Sequence, residues 1–63
     1  MLPHQERVVV EKTELDDKIG KLSLFTATPL YSSLASEEQE RLLRQFALMK
    51  QYSDVLGERI AAF

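Results

Sequence analysis

The residues with the most chemical capacity lie toward the start of the chain: His4, Arg7, Lys18 and Lys21 combine one aromatic ring with three cations. Ammonium and guanidinium groups pair with phosphate oxygens, and a ring can stack on a nucleobase. On an α-helix a step of 14 residues nearly closes four turns, so His4, Arg7, Glu11 and Lys18 fall on one side. A helix long enough to carry all of them spans about 30 Å, so one copy cannot bring His4 and Lys18 onto one small ligand. Two copies packed antiparallel would set His4 of one near Lys18 or Lys21 of the other. The plainer reading of the same residues is solvated charge and a histidine at a frayed helix end.

Other chemistries find little material. Cysteine is absent, which excludes disulfides and thiolate zinc sites and permits a reducing compartment. A single histidine makes no metal site without several carboxylate partners, and no such cluster stands out. His4 has no nucleophile and orienting group beside it, and Gly20 and Gly57 are too far apart for a phosphate-cradling loop. No metal, no cofactor and no enzyme activity are expected. A net charge of −2, from ten acids against eight bases, argues against a DNA duplex binder. Any anionic partner should be small and held by a local group of bases. Met1 to Val10 has neither the basic start nor the apolar core of a signal peptide. No apolar run approaches the ~20 residues a membrane span needs.

The elements that must carry these residues are helical. Pro3 suits a first helical turn, and only Gly20 interrupts a helical pattern over about residues 3–24. Val8, Leu15, Ile19 and Leu22 form one apolar stripe there. Acids come early (Glu6, Glu11, Glu14) and Lys21 late, the order a helix dipole favours, with Glu14 and Lys18 spaced to pair along the helix. Residues 25–35 form a linker. Thr28-Pro29 signals either a short helical turn, with Leu30, Tyr31 and Leu34 folding back to close the end, or an irregular loop with the same residues partly buried. Ser36-Glu37-Glu38-Gln39 has the form of a capping box for a second helix over about residues 37–62. Leu42, Phe46, Met49, Ser53, Leu56, Ile60 and Phe63 recur with 4-3-4-3-4-3 spacing, a seam broken only by Ser53. A short linker between two such helices makes an all-α antiparallel two-helix hairpin, a single domain over residues 1–63.

One hairpin leaves apolar residues without a partner. Leu48, Tyr52, Val55 and Ala62 repeat on the far face of the second helix, and Val9, Val10 and Leu24 point away from the first helix's stripe. A chain of 63 residues buries only about 60% of its unfolded surface, and chains this small lean on disulfides, metals or oligomerisation. With the first two excluded, the outer row marks a homo-oligomer interface through Val9, Val10, Leu24, Leu48, Tyr52 and Val55. The contrary reading is that scattered exposed apolar residues are normal.

The strings PHQERVVVEKTELDDKIGKL and LLRQFALMKQYSDVLGERIAAF resemble the hairpin domain of phage nucleotide sponges, the anti-CBASS type-two and Thoeris anti-defence type-one proteins. The resemblance rests on Arg7-Val8, Glu11-Lys12, Glu14-Leu15, Lys18-Ile19 and Lys21-Leu22, then Gln45, Met49, Gln51-Tyr52, Leu56 and Arg59-Ile60. It covers nearly the whole chain as many weak positions rather than one sharp signature. It implies a homo-oligomer, typically a hexamer, that binds cyclic dinucleotides or related cyclic nucleotides without cleaving them, in the host bacterial cytoplasm. Pockets between subunits are implied, with a separate arginine-lined site for cyclic trinucleotides. It further implies base stacking by His4, standing where the family commonly has a tyrosine, phosphate contact by Lys18 or Lys21, and a further contact by Arg7. Two functions are thereby set against each other. One is a sponge that sequesters cyclic messengers and blocks CBASS-type immune signalling. The other is a structural or adaptor hairpin that docks a protein partner through its outer apolar stripe.

Overall fold

Pro3 opens the first helix in the computed structural model, which describes residues 1–63. Helix α1 runs Pro3–Phe25, and its free N-terminal donors are partly met by the Gln5 side chain, which accepts from the Leu2 N–H at 3.0 Å. A four-residue helix α2, Pro29–Ser32, follows, and α3 runs Ser36–Ala61. The chain is all-α, and α1 and α3 lie against each other as an antiparallel hairpin 45 Å long and 15 × 13 Å across. No helix is long and apolar enough to cross a membrane.

Of the two readings of the linker, the helical turn is the one adopted. The Thr28 hydroxyl accepts from the Tyr31 N–H at 3.3 Å and donates to the Phe25 carbonyl at 2.7 Å, joining the end of α1 to the start of α2. Tyr31 is buried with its ring edge-on to Phe25 at 6.0 Å, and Leu34 is half-buried. Leu30 does not fold back with them; it points outward, 64% exposed. Tyr31 takes the inward position of that single turn, and a turn so short has only one inward side.

The capping box at Ser36 does not form. The cap position is Ala35, with extended backbone angles, and Ser36 is already helical, so its hydroxyl sits on the wrong side of the first turn. Gln39, freed from that role, donates its amide to the Leu34 carbonyl at 2.9 Å and the Ser32 carbonyl at 3.3 Å, tying α3 to the linker. The dipole is served by Glu37 and Glu38 at the start of α3 and Arg59 at its end, whereas Lys21 falls outside the last turn of α1. Glu14 and Lys18 form no ion pair; the pairs are Lys12–Asp16 at 2.9 Å, Asp17–Lys21 at 3.0 Å and Glu38–Arg41 at 2.9 Å.

The seam between the helices is thin. Val8 and Leu56 are its fully apolar buried members, and Leu15, Ile19, Leu22, Leu42, Phe46, Met49 and Ile60 are half-buried around them. Phe63 leaves the seam: α3 ends at Ala61, and the ring is 45% exposed beyond it. Accessible surface totals 4716 Å². A compact chain of 7.2 kDa would expose about 4,100 Å². The excess follows from the rod shape, in which two helices can bury only one face each.

Candidate functional site

Every residue of the basic group lies on α1 and faces water. His4 occupies the first turn, and Arg7 lies one turn on, where it lines a shallow hollow with Pro3, Glu6 and Val10. Lys18 and Lys21 lie a turn apart further along. The helix therefore brings His4 to Arg7 and Lys18 to Lys21, but it keeps the two pairs apart. At 1.5 Å per residue His4 and Lys18 are separated by about 21 Å along the axis, more than one small ligand spans. The cations also differ in freedom. Lys21 is held by Asp17, while Arg7 and Lys18 have no carboxylate within ion-pair distance.

The outer apolar row is laid bare on the hairpin. Leu48 is 63% exposed, Val55 51%, Val10 54% and Leu24 74%, while Val9 is half-buried. Tyr52 belongs to the same row, and its phenol donates to the Glu11 carboxylate across the two helices. That bond, aided by partial desolvation and the negative charge of Glu11, pushes the Tyr52 phenol above its ordinary range. Beside it, Arg41, Arg44, Gln45, Leu48, Met49 and Tyr52 line an open hollow of about 410 Å³. Two guanidinium groups over an apolar floor suit an anion with a flat or apolar body. Arg41 and Arg44 lie outside the ring-and-lysine pattern of α1. Their spacing with Leu48, three and four residues apart on α3, was the available signal.

A third group bridges the seam at its edge, with Ser53 buried, Lys12 half-buried and Asp16 exposed. Ser53 is 6% exposed; it accepts from the Lys12 ammonium at 2.8 Å and donates to the Asp16 carboxylate, which also pairs with Lys12. The Ser53 hydroxyl, and after it the Lys12 contact, holds the Asp16 carboxyl below the usual carboxylate range. No buried side-chain polar atom lacks a partner, so the cluster closes on itself. Its signal in the sequence was Lys12, which stands between Val8 and Leu15 at an inward position of α1 just as Ser53 does on α3. No group of His, Asp and Glu residues is arranged to hold a metal ion.

The family profile described as Sequestin matches residues 2–62, nearly the whole of the hairpin. This chain belongs to the Sequestin family. It is also 43% identical over 63 residues to an "Uncharacterized 7.5 kDa protein in denB-rIIB intergenic region" of Enterobacteria phage T4, covering all of this chain and 98% of that one. No solved structure matches. Sequestin membership points to a binding protein rather than a catalyst, and together with the phage relative it supports a sequestering role in phage anti-defence.

Proposed function

We propose that the chain binds cyclic oligonucleotide second messengers and holds them without cleavage, silencing CBASS-type signalling in the cytoplasm of an infected bacterium. Cyclic dinucleotides are the first ligands, with cyclic trinucleotides or cyclic ADP-ribose isomers as further members of the class. The match to the Sequestin family over residues 2–62 carries the reading.

The chemistry of the residues supports it. His4 and Arg7 of one subunit meet Lys18 and Lys21 of another when two α1 helices pack antiparallel, which removes the separation of about 21 Å within a chain. The His4 ring then stacks on a base while Arg7, Lys18 and Lys21 meet phosphate oxygens. Lys18 is the stronger phosphate candidate, because Lys21 must first leave Asp17. The outer row of Val9, Val10, Leu24, Leu48, Tyr52 and Val55 supplies the contact between subunits, building toward a hexamer. The hollow beside Arg41 and Arg44 is the candidate for the separate, trinucleotide-type site.

Isothermal titration calorimetry against cyclic di-AMP, cyclic GMP–AMP, cyclic tri-adenylate and a cyclic ADP-ribose isomer tests the reading. The expected result is saturable binding, with a ligand on a two-fold axis giving about one per two subunits. The ligand should be recovered intact. Lys18→Ala and Lys21→Ala should abolish binding while helicity and assembly stay unchanged. Silence across the panel from a folded oligomer would refute the sponge and leave an adaptor hairpin that docks a protein partner.

A further inference from the structure

The apolar seam repeats every seven residues on both helices, with Val8, Leu15 and Leu22 on α1 and Leu42, Met49 and Leu56 on α3. Such a repeat does not define one alignment. Sliding α1 by one heptad, about 10.5 Å, sets apolar residues against apolar residues again. Chain connectivity does not forbid the slide. The ten residues between α1 and α3 reach up to about 33 Å when extended. The connector is held by the buried Tyr31, whose phenol donates to the Gln39 carbonyl at 3.4 Å, by half-buried Leu34, by the Thr28 hydroxyl between Phe25 and Tyr31, and by the Gln39 bonds to the Ser32 and Leu34 carbonyls.

We propose that the Lys12–Asp16–Ser53 cluster, with Gly57 beside it, is the element that selects the register of α1 against α3. Two observations carry this. The cluster is the one polar interruption of the seam, and all three members bond across or along it: Lys12 to Ser53 at 2.8 Å, Ser53 to Asp16, and Lys12 to Asp16 at 2.9 Å. Gly57, one turn after Ser53, lies beside the Lys12 stem, where a Cβ would meet the Lys12 Cε at 3.4 Å, an ordinary van der Waals contact. Finally, every slid alignment breaks the set. One heptad in one direction puts Asp16 opposite Phe46 and lays Lys12 against Phe46 and Lys50. In the other direction Lys12 and Asp16 pass to Ile60 and the end of the helix.

Ser53 is buried, so an alignment that leaves its hydroxyl without a partner is disfavoured, whereas the half-covered Lys12 and the exposed Asp16 form an ion pair that by itself holds little. The cluster therefore contributes little to holding the helices together and much to deciding which residues face each other. That choice has a consequence on the outside. It alone lines up Glu11 with Tyr52, and so aligns the outer row of α3 with the basic face of α1.

The test uses distances between spin labels on the full chain. Its lack of cysteine makes a Glu14→Cys, Glu40→Cys pair unique, and dilution with unlabelled protein restricts the signal to pairs within one chain. The unaltered seam should give one distance population. Lys12→Met with Asp16→Ala and Ser53→Ala should keep its helicity and add a second population displaced by up to ~10 Å, a one-heptad slide. A second variant, Ser53→Leu with Ile60→Ser, moves the hydroxyl one heptad along and should shift the main population. A single unchanged distance in either variant overturns the proposal. Loss of helix in the triple variant overturns it as well, because the cluster would then be needed for folding rather than for choosing an alignment.

Discussion

Replacing Leu48 and Val55 together by serine should dissociate the proposed homo-oligomer without unfolding the hairpin. Leu48 keeps 63% of its surface and Val55 51%, so neither contributes much within one chain. Full burial of such a side chain is worth about 1.5–3 kcal/mol, which leaves about 1 kcal/mol or slightly more at each position for a neighbouring subunit. In a contact that uses the same patch on both partners each residue acts twice. The double substitution then removes about 4 kcal/mol per contact, roughly a thousandfold in dissociation constant. Sedimentation equilibrium over a concentration series reads this directly. The thermal midpoint should also rise with concentration in the parent and much less in the variant. The interface through Leu48 and Val55 is refuted if the parent is monomeric throughout, or if the variant dissociates over the same range. A variant that loses its helical signal would refute it as well, since the outer row would then belong to the hairpin core.

Three further outcomes follow from the fold. Leu56 has no exposed surface, so Leu56→Ala should cost about 2–5 kcal/mol, a large part of the about 3–9 kcal/mol available to a chain of this length; circular dichroism melts showing a loss under about 1 kcal/mol would contradict a core centred there. The Ser53 hydroxyl and Lys12 hold the Asp16 carboxyl below its ordinary 3.8. Its folded value being the lower one, this contribution to stability is present above the unfolded value and lost as pH falls through the folded one. Melting of the parent and of Asp16→Asn should therefore converge in acid, and parallel curves down to about pH 2 would argue against the bond. Gly20 has open space around the position of an added Cβ and sits inside α1, so Gly20→Ala should stabilise by about 0.5–1 kcal/mol. A lowered midpoint would mean that another subunit approaches the helix at that point.

The hairpin was legible because it depends on local signals. Pro3, the 3-4 spacing of Val8 to Leu22 and of Leu42 to Ile60, and the Thr28-Pro29 cap all act within a few residues of themselves. The two-faced character of the helices was equally readable, since it is a property of each helix alone. The details that escaped depend on which side of a turn a residue falls. Ser36 had the right partner three positions on, yet α3 begins at Ser36, with Ala35 as its cap, and the hydroxyl caps nothing. Leu30 and Phe63 had the right hydrophobicity and the wrong direction.

The residues for a site were present in the sequence as types, but not as distances. That His4 and Lys18 share a face follows from helical period; that no single copy can use both on one ligand follows from helical rise. Tertiary structure decided the rest. It made Ser53, which looked like a gap in the seam, the acceptor for Lys12 and the donor to Asp16, and it joined Glu11 to Tyr52. Those bonds link residues 37 to 41 positions apart. Periodicity says which face a residue takes, and only the packing of α1 on α3 says what stands opposite.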